Sequence, residues 1–329
     1  MAESELAGSA GRRIDAIAFL NRWGAGLFLI ALILIFTAQN PHFLSLRNAT
    51  NILTEVSIYG VIAIGMTLVI LTAGVDLSVG SLLAFAAMAA AWSAQHLPPG
   101  VPQWPVALIV AALIGLIAGY LQGKAVTLLN VPAFIVTLGG MTVWRGATLM
   151  LNNGGPIAGF DDGYRWWGTG AILGVPVPVL LFALVAILGH VALRMTRYGR
   201  RVYAVGGNAE AARLAGVNVK AVLVSVYALV GLLAGLSGFL LSARLNSAEA
   251  VAGVNYELRV IASVVIGGAS LSGGAGDIRG TVIGTLLIGV LSNGLVIMHV
   301  SSYLQQIVIG LIIVAAVAFD VFAKSRARS

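Results

Sequence analysis

Asp76, Glu55 and Arg145 are the ionisable residues in this sequence with most to explain. Asp76 lies in GMTLVILTAGVDLSVGS (65–81), where a long apolar run reverses and becomes apolar again within a few residues. A carboxylate placed there has two chemical uses. It can serve as a proton or substrate site inside a membrane bundle. It can also cap the next helix, accepting from the N–H groups of the first turn just beyond Leu77 and meeting that helix's positive end. Gly74 and Gly80 permit the tight reversal, and the expectation favours the cap. Glu55 and Arg145 fall inside apolar runs, where an ion-coupled transporter places its ionisable groups. Neither has an evident partner in the sequence, so support for a proton relay is thin.

Other chemistries find no foothold. There is no cysteine, which removes disulfides, thiol catalysis and cysteine metal sites, and the four histidines (His42, His96, His190, His299) are never three or four residues apart. No His-Glu-x-x-His motif occurs, and serine hydrolysis lacks its His or Lys partner. The three lysines (Lys124, Lys220, Lys324) stand outside any Gly-Lys-Ser/Thr turn, so a nucleotide-binding P-loop is absent. No catalytic, metal or cofactor site is therefore expected. What remains is a set of uncharged hydroxyls and amides with one acid: Thr67, Thr72, Asp76, Ser78, Asn130, Thr137, Asn293 and the pair Gln305–Gln306. Such groups offer alternating donors and acceptors and suit a neutral polyol or sugar. Thr67, Asp76, Ser78, Asn130, Asn293 and Gln305 are the leading candidates for a translocation path. The same residue types also join membrane helices by hydrogen bonds.

The elements that position these residues are membrane helices. The chain is 59% hydrophobic and 9% charged, with 41 glycines in 329 residues, whereas soluble domains carry about 25% charged residues. Lipid is the solvent that suits this composition. The expected fold class is an all-α polytopic membrane protein of about ten helices: 23–39, 51–72, 79–96, 105–123, 132–151, 171–193, 220–242, 257–271, 280–298 and 303–322. The eighth is short, and the third is polar at its edges. Residues 1–22 read as a cytoplasmic tail, 23–322 as one transmembrane domain and 323–329 as a second cytoplasmic tail. With both termini inside, 14 of the 19 basic residues fall in cytoplasmic segments and only Arg47, Arg165 and Arg244 in outer loops. The net charge of +7 is then a matter of topology, not of nucleic-acid binding. That topology sets Asp76 at the inner end of the second and third spans.

The longest inner connection is RMTRYGRRVYAVGGNAEAARLAGVNVK (194–220). Asn208 can cap a short helix, Ala209–Leu214 are good helix formers, and Gly216 is a natural stop. On composition alone this is either a solvated basic loop or a docking element. A faint internal echo links VILTAGVDLSVG (69–80) with VIGGASLSGG (265–274), each a span that ends in a glycine-rich turn.

Residues 65–85, NVPAFIVTLGGMTVWRGATLMLNNGGPI (130–157), TRYGRRVYAVGGNAEAARLAGV (196–217), VIASVVIGGASLSGGAGDIRGT (260–281) and residues 291–320 together resemble the permease subunits of bacterial ABC importers for ribose and related monosaccharides. The likeness runs from about residue 40 to 322. It implies a multi-pass protein of the bacterial inner membrane. It also implies a second permease copy, identical or paralogous, a cytoplasmic ATP-binding subunit and a periplasmic sugar-binding protein. Asn208, Glu210, Ala211, Arg213 and Gly216 match the family's coupling pattern, which implies contact with the ATPase. Asp277 and Arg279, in GDIRG (276–280), depart from the small or apolar residues often found there. A stand-alone secondary transporter of a polar solute is the alternative.

Overall fold

The computed structural model describes residues 24–328; the expected tail 1–22 lies outside them. The protein is an all-α membrane bundle. Helix α1 spans Gly24–Gln39. A short 3-10 turn (Pro41–Leu44) leads into α2 (Leu46–Leu71), α3 (Val79–Gln95), α4 (Gln103–Leu129) and α5 (Ala133–Met150). After the short α6 (Asp162–Thr169) come α7 (Val177–Met195), α8 (Arg197–Gly207), α9 (Ala209–Leu214), α10 (Val219–Leu245), α11 (Tyr256–Ile266), α12 (Ile278–Ile297) and α13 (Ser302–Arg328). Four two-residue strands complete the elements among the described residues. β1 (Ile157–Ala158) pairs antiparallel with β4 (Ser247–Ala248), and β2 (Ala171–Ile172) pairs with β3 (Val175–Pro176).

Six of the described helices are long and apolar enough to cross a bilayer: α2, α4, α5 with its 3-10 extension to Gly154, α7, α10 and α12. Gly24–Gln39, Val79–Gln95 and Ser302–Ile312 are shorter apolar helical stretches. Two expected spans differ in form. Residues 171–176, placed at the start of the sixth span, fold into the β2–β3 hairpin, and α7 begins only after Pro176, with Pro178 in its first turn, where a missing N–H costs nothing and the fixed φ suits a helix. The eighth is α11, with 11 residues. At 1.5 Å per residue it covers about 16 Å, roughly half the hydrocarbon thickness. Gly253 (φ 68) and Asn255 (φ 66) keep the chain irregular just before it. Residues 323–328, expected as tail, continue α13.

Helix ends follow local chemistry. Asn130 and Asn246 close α4 and α10 in the left-handed conformation (φ 52 and 53), which asparagine tolerates better than most residues. Helix α2 forms the centre: every residue from Val56 to Leu71 is buried. It packs on α10, α3, α12, α7 and α11. The tightest pair is α4 with α10, which run antiparallel. Ala111, Gly115, Gly119 and Gly123 of α4 meet Gly235, Gly231, Tyr227 and Val224 of α10 in that order. A Cβ on Gly115 would strike the Gly231 carbonyl, and one on Gly231 would strike that of Gly115. Small residues at four-residue spacing thus bring two backbones into direct contact. By contrast, α5 and α7 expose large apolar side chains, among them Phe134, Ile135, Val143, Leu184, Ile187 and Leu188. Lipid or another apolar surface is the environment these faces require.

Candidate functional site: an exposed basic helix and a buried polar reversal

Two neighbourhoods carry the polar chemistry, and both lie toward one end of the bundle. The C-terminal ends of α4 and α7, all of α8 and α9, and the starts of α10 and α12 meet there. With them come Lys124, Arg194, Arg197, Arg200, Arg201, Arg213, Lys220 and Arg279.

The first neighbourhood is α9. Its length and both caps match the expectation. Asn208 Oδ1 accepts from Ala211 N at 2.9 Å. At the other end Gly216 takes φ +80, its N–H donates to Arg213 O (3.0 Å), and the Val217 N–H donates to Ala212 O (3.0 Å). These two bonds form the pattern that satisfies the last carbonyls of a helix ended by glycine. Asn208, Glu210, Ala211, Arg213 and Gly216 are all exposed, and Ala212 alone in the helix is buried. Arg213 Nε and Nη2 hold the two oxygens of Glu210 at 3.0 and 2.6 Å. The Arg213 guanidinium holds the Glu210 carboxyl below its usual range, and Glu210 raises Arg213 in turn. Leu214 is 75% exposed, a bare apolar side chain beside this ion pair.

Helix α8, capped by Thr196 through Gly199 N at 3.3 Å, ties α9 to the bundle. Its Tyr203 hydroxyl donates to Gly276 O at 2.8 Å. Nearby, Arg194 donates to Asp277 at 2.8 Å, His190 Nδ1 lies 3.4 Å from the same carboxylate, and Arg279 Nη2 lies 3.3 Å from His190 Nε2. Burial alone would raise the Asp277 carboxyl. The hydrogen bonds from Arg194 and from Arg279 N, with the charge of Arg194 and of His190, outweigh burial and hold it below its usual range.

The second neighbourhood is the reversal 72–78 between α2 and α3. Asp76 is buried, but it is not the residue that begins α3: Ser78 holds the N-cap position. Asp76 Oδ1 instead accepts from Ser78 N (2.8 Å) and Ser78 Oγ (2.7 Å), a local turn two residues ahead of its own backbone. The cap expectation is therefore corrected in detail. The carboxylate braces the residue that starts the helix and does not reach into its first turn. Gln122 of α4 donates to Ser78 Oγ at 2.7 Å. Tyr227 of α10 donates to Val75 O at 3.4 Å, and the Thr137 hydroxyl of α5, which donates to Ala133 O of its own helix at 2.9 Å, lies 3.3 Å from the same carbonyl.

The remaining path candidates are dispersed. Thr67 meets Thr281 of α12 at 2.7 Å. Asn293 accepts from Asn48 at 2.9 Å, joining α12 to α2 toward the opposite end. Asn130 is the exposed stop of α4, and Gln305 donates to Val300 O at 2.9 Å ahead of α13. Of the wider polar set, Asp76, Ser78 and Thr137 come together, with Thr72 at the start of the same reversal. Glu55 and Arg145, unpartnered in the sequence, have partners in space. Glu55 lies 3.6 Å from Arg259, and Arg145 Nη1 donates to the Ala250 and Ala252 carbonyls. Gln122 and Tyr227 were missed. Gln122 had a legible signal, as a lone amide beside Gly123 on the small-residue face of an apolar helix.

A family model described as "Branched-chain amino acid transport system / permease component" matches residues 48–317. The chain belongs to this permease family. The ribose import permease of Escherichia coli (strain K12) is 44% identical over 315 residues, covering 94% of this chain and 97% of the relative. That of Bacillus subtilis (strain 168) is 45% identical over 312 residues, covering 94% and 95%. The D-allose transport system permease protein of Escherichia coli (strain K12) is 37% identical over 303 residues, covering 92% of each chain. No solved structure matches the chain. The matched region of this permease contains both neighbourhoods.

Proposed function

We propose that this permease is the membrane-spanning subunit of an ATP-driven importer that carries a monosaccharide across the bacterial inner membrane. The observation that carries the reading is the full-length similarity to ribose and D-allose permeases. The exposed, doubly capped α9 at the basic end agrees with it. On this reading the chain crosses ten times with both termini inside, since the positive-inside rule puts the basic end in the cytoplasm. Asn208, Glu210, Ala211, Arg213 and Gly216 face a cytoplasmic ATP-binding subunit. The permease itself hydrolyses nothing. A periplasmic binding protein delivers the sugar, and a second permease copy completes the pathway. Apolar faces such as that of α5 are available to that copy or to lipid.

Transport then follows from differential binding. Nucleotide draws the two ATP-binding subunits together, α9 moves with the subunit it touches, and the bundle opens to one side or the other. The uncharged groups around the reversal and between α2 and α12 suit a polyhydroxy cargo better than an ion.

The test is reconstitution in vesicles with the ATP-binding subunit and a ribose-binding or allose-binding protein. ATP-dependent uptake of the matching sugar is expected. Uptake by the permease alone, abolished by a protonophore, would replace this reading with secondary transport.

A further inference from the structure

We infer that the contact of Gly206 with the end of α2 is the joint through which movement of α9 reaches the transmembrane bundle, and that Gly206 is its positioning residue. This rests on the reading of α9 as the element that the ATP-binding subunit moves.

Gly206 lies at the end of α8, two residues before the α9 cap Asn208. A Cβ at Gly206 would run into the Leu71 carbonyl and stand 2.7 Å from Gly274 N. Only a residue without a side chain lets α8 lie against these two backbones. Leu71 and Gly274 are themselves joined, with Gly274 N donating to Leu71 O at 2.9 Å. Gly273 has φ +82 and Gly274 φ +73, so the loop that meets Gly206 depends on glycine as well. Three backbones, from α8, the end of α2 and the loop before α12, therefore touch at one point. The Tyr203 hydroxyl adds a bond to the same loop at Gly276 O.

The other side of the joint is the reversal 72–78, which begins at the residue after Leu71. Through Val75 O and Ser78 Oγ it is bonded to α5, α10 and α4. A displacement of α9 carried by α8 is thus one backbone contact from Leu71, and a few residues further from three membrane helices. Backbone contacts of this kind cannot be relieved by a rotamer change, as side-chain contacts can. The joint passes on a push without absorbing it. The two sequence echoes, 69–80 and 265–274, are the two segments that meet here.

The test compares neighbouring identical substitutions. Gly206→Ala places a methyl group on the Leu71 carbonyl. Gly207→Ala has nothing within 4 Å of its new Cβ and serves as the control for altering a helical glycine. Both variants are assembled in vesicles with the ATP-binding subunit and a ribose-binding protein. Ribose taken up per ATP hydrolysed is measured, and copurification checks assembly. Gly206→Ala is expected to keep its partner and its ATPase activity while uptake per ATP falls at least fivefold; Gly207→Ala is expected to match the wild type. Equal coupling in the two variants, or loss in both, overturns the inference. Should Gly206→Ala fail to reach the membrane, Tyr203→Phe decides. It removes one hydroxyl from the joint, and a lowered uptake-to-ATP ratio at normal assembly supports the inference, whereas an unchanged ratio overturns it. Failure of the wild type to couple ATP to uptake would instead count against the proposed function.

Discussion

Gly115→Ala separates backbone packing from every other effect of glycine in this protein. In a helix interior, glycine is about 0.8–1 kcal/mol less favourable than alanine, so on propensity alone the change stabilises. The structure gives the opposite sign. The new methyl group would strike the Gly231 carbonyl and stand 3.0 Å from Gly235 N. Relief requires α4 and α10 to separate by something on the order of an ångström, and a gap of that size forfeits roughly a quarter to a half of each dispersion contact along the seam. Overpacking of this kind costs about 1–3 kcal/mol. Gly139 on α5 and Gly310 on α13 provide the reference, since nothing lies within 4 Å of a Cβ at either. Propensity cancels in the comparison with Gly139→Ala or Gly310→Ala, leaving the packing cost of about 1–3 kcal/mol. The assay is unfolding of the purified permease in mild detergent, with the three variants measured side by side. The partner substitution sharpens it. Gly231→Ala strikes the Gly115 carbonyl, so once one methyl group has parted the helices the second costs less, and the double variant should be less damaged than the sum. Gly115→Ala as stable as Gly139→Ala would refute the direct-contact argument.

Further outcomes follow from the two polar neighbourhoods. Asn208→Ala removes the α9 cap and should cost about 1 kcal/mol of local stability; Asn208→Asp should retain it, with faster amide exchange at Ala211 in the alanine variant alone as the readout. Asp76→Asn leaves an oxygen to accept from Ser78 N and Ser78 Oγ and should reach the membrane in near-normal amounts. Asp76→Ala strands both donors, a loss of about 1–3 kcal/mol for a buried group, and should lower the yield; equal yields would mean that those two bonds do not hold the reversal. The depressed Asp277 carboxyl predicts a pH signature. A group whose folded value lies below its unfolded value stabilises above the unfolded value, near 3.9 for Asp, and loses that contribution as pH falls through the folded value. Wild type should therefore be more heat-resistant than Asp277→Asn at neutral pH, with the difference closing below about pH 4. A difference that persists at low pH would deny the Arg194 partnership its role.

Much of the bundle was legible because hydrophobic length and helix punctuation are local properties. Helix α9 was readable to the residue, since Asn208, the helix formers Ala209–Leu214 and Gly216 act within one short segment. Asn130 was read as a path candidate for its amide; its position after Leu129 and its tolerance of positive φ make it a helix stop. The start of α7 was misplaced because residues 171–176 are apolar enough for a span, and periodicity cannot distinguish them from a hairpin ending at Pro176. The eighth span was legible as short, but hydropathy carried it on to residue 271, whereas α11 ends at Ile266. Asp76 was placed correctly in its reversal but one bond away from its role, because capping in sequence assumes that the acidic residue itself begins the helix. The partners of Glu55 and Arg145 lie more than 100 residues away in the chain, as do Leu71 for Gly206 and Asn293 for Asn48. Spacing cannot disclose such pairs.

The distribution of close backbone contacts separates what can move from what cannot. Along α4 and α10 the contacts repeat at Gly115, Gly119 and Gly123 over about two turns, so neither helix can tilt on the other without breaking several at once. Helices α2 and α3 pack against that pair. At the reversal 72–78 the polar ties to the membrane helices are single: one to α5, one to α10 and one to α4. Single bonds exchange partners at small cost, about 0.5–1.5 kcal/mol net each, whereas the glycine seam does not. Helix α5, whose flank is exposed, reaches the reversal through Thr137 and packs on α3, where the Phe85 and Trp144 rings stack with centroids 5.7 Å apart. Thr137→Val, which keeps the shape but deletes the reach to Val75 O, should alter the coupling of transport to ATP while leaving the stability of the α4–α10 seam unchanged. Loss of stability equal to that of Gly115→Ala would show instead that the reversal is part of the seam.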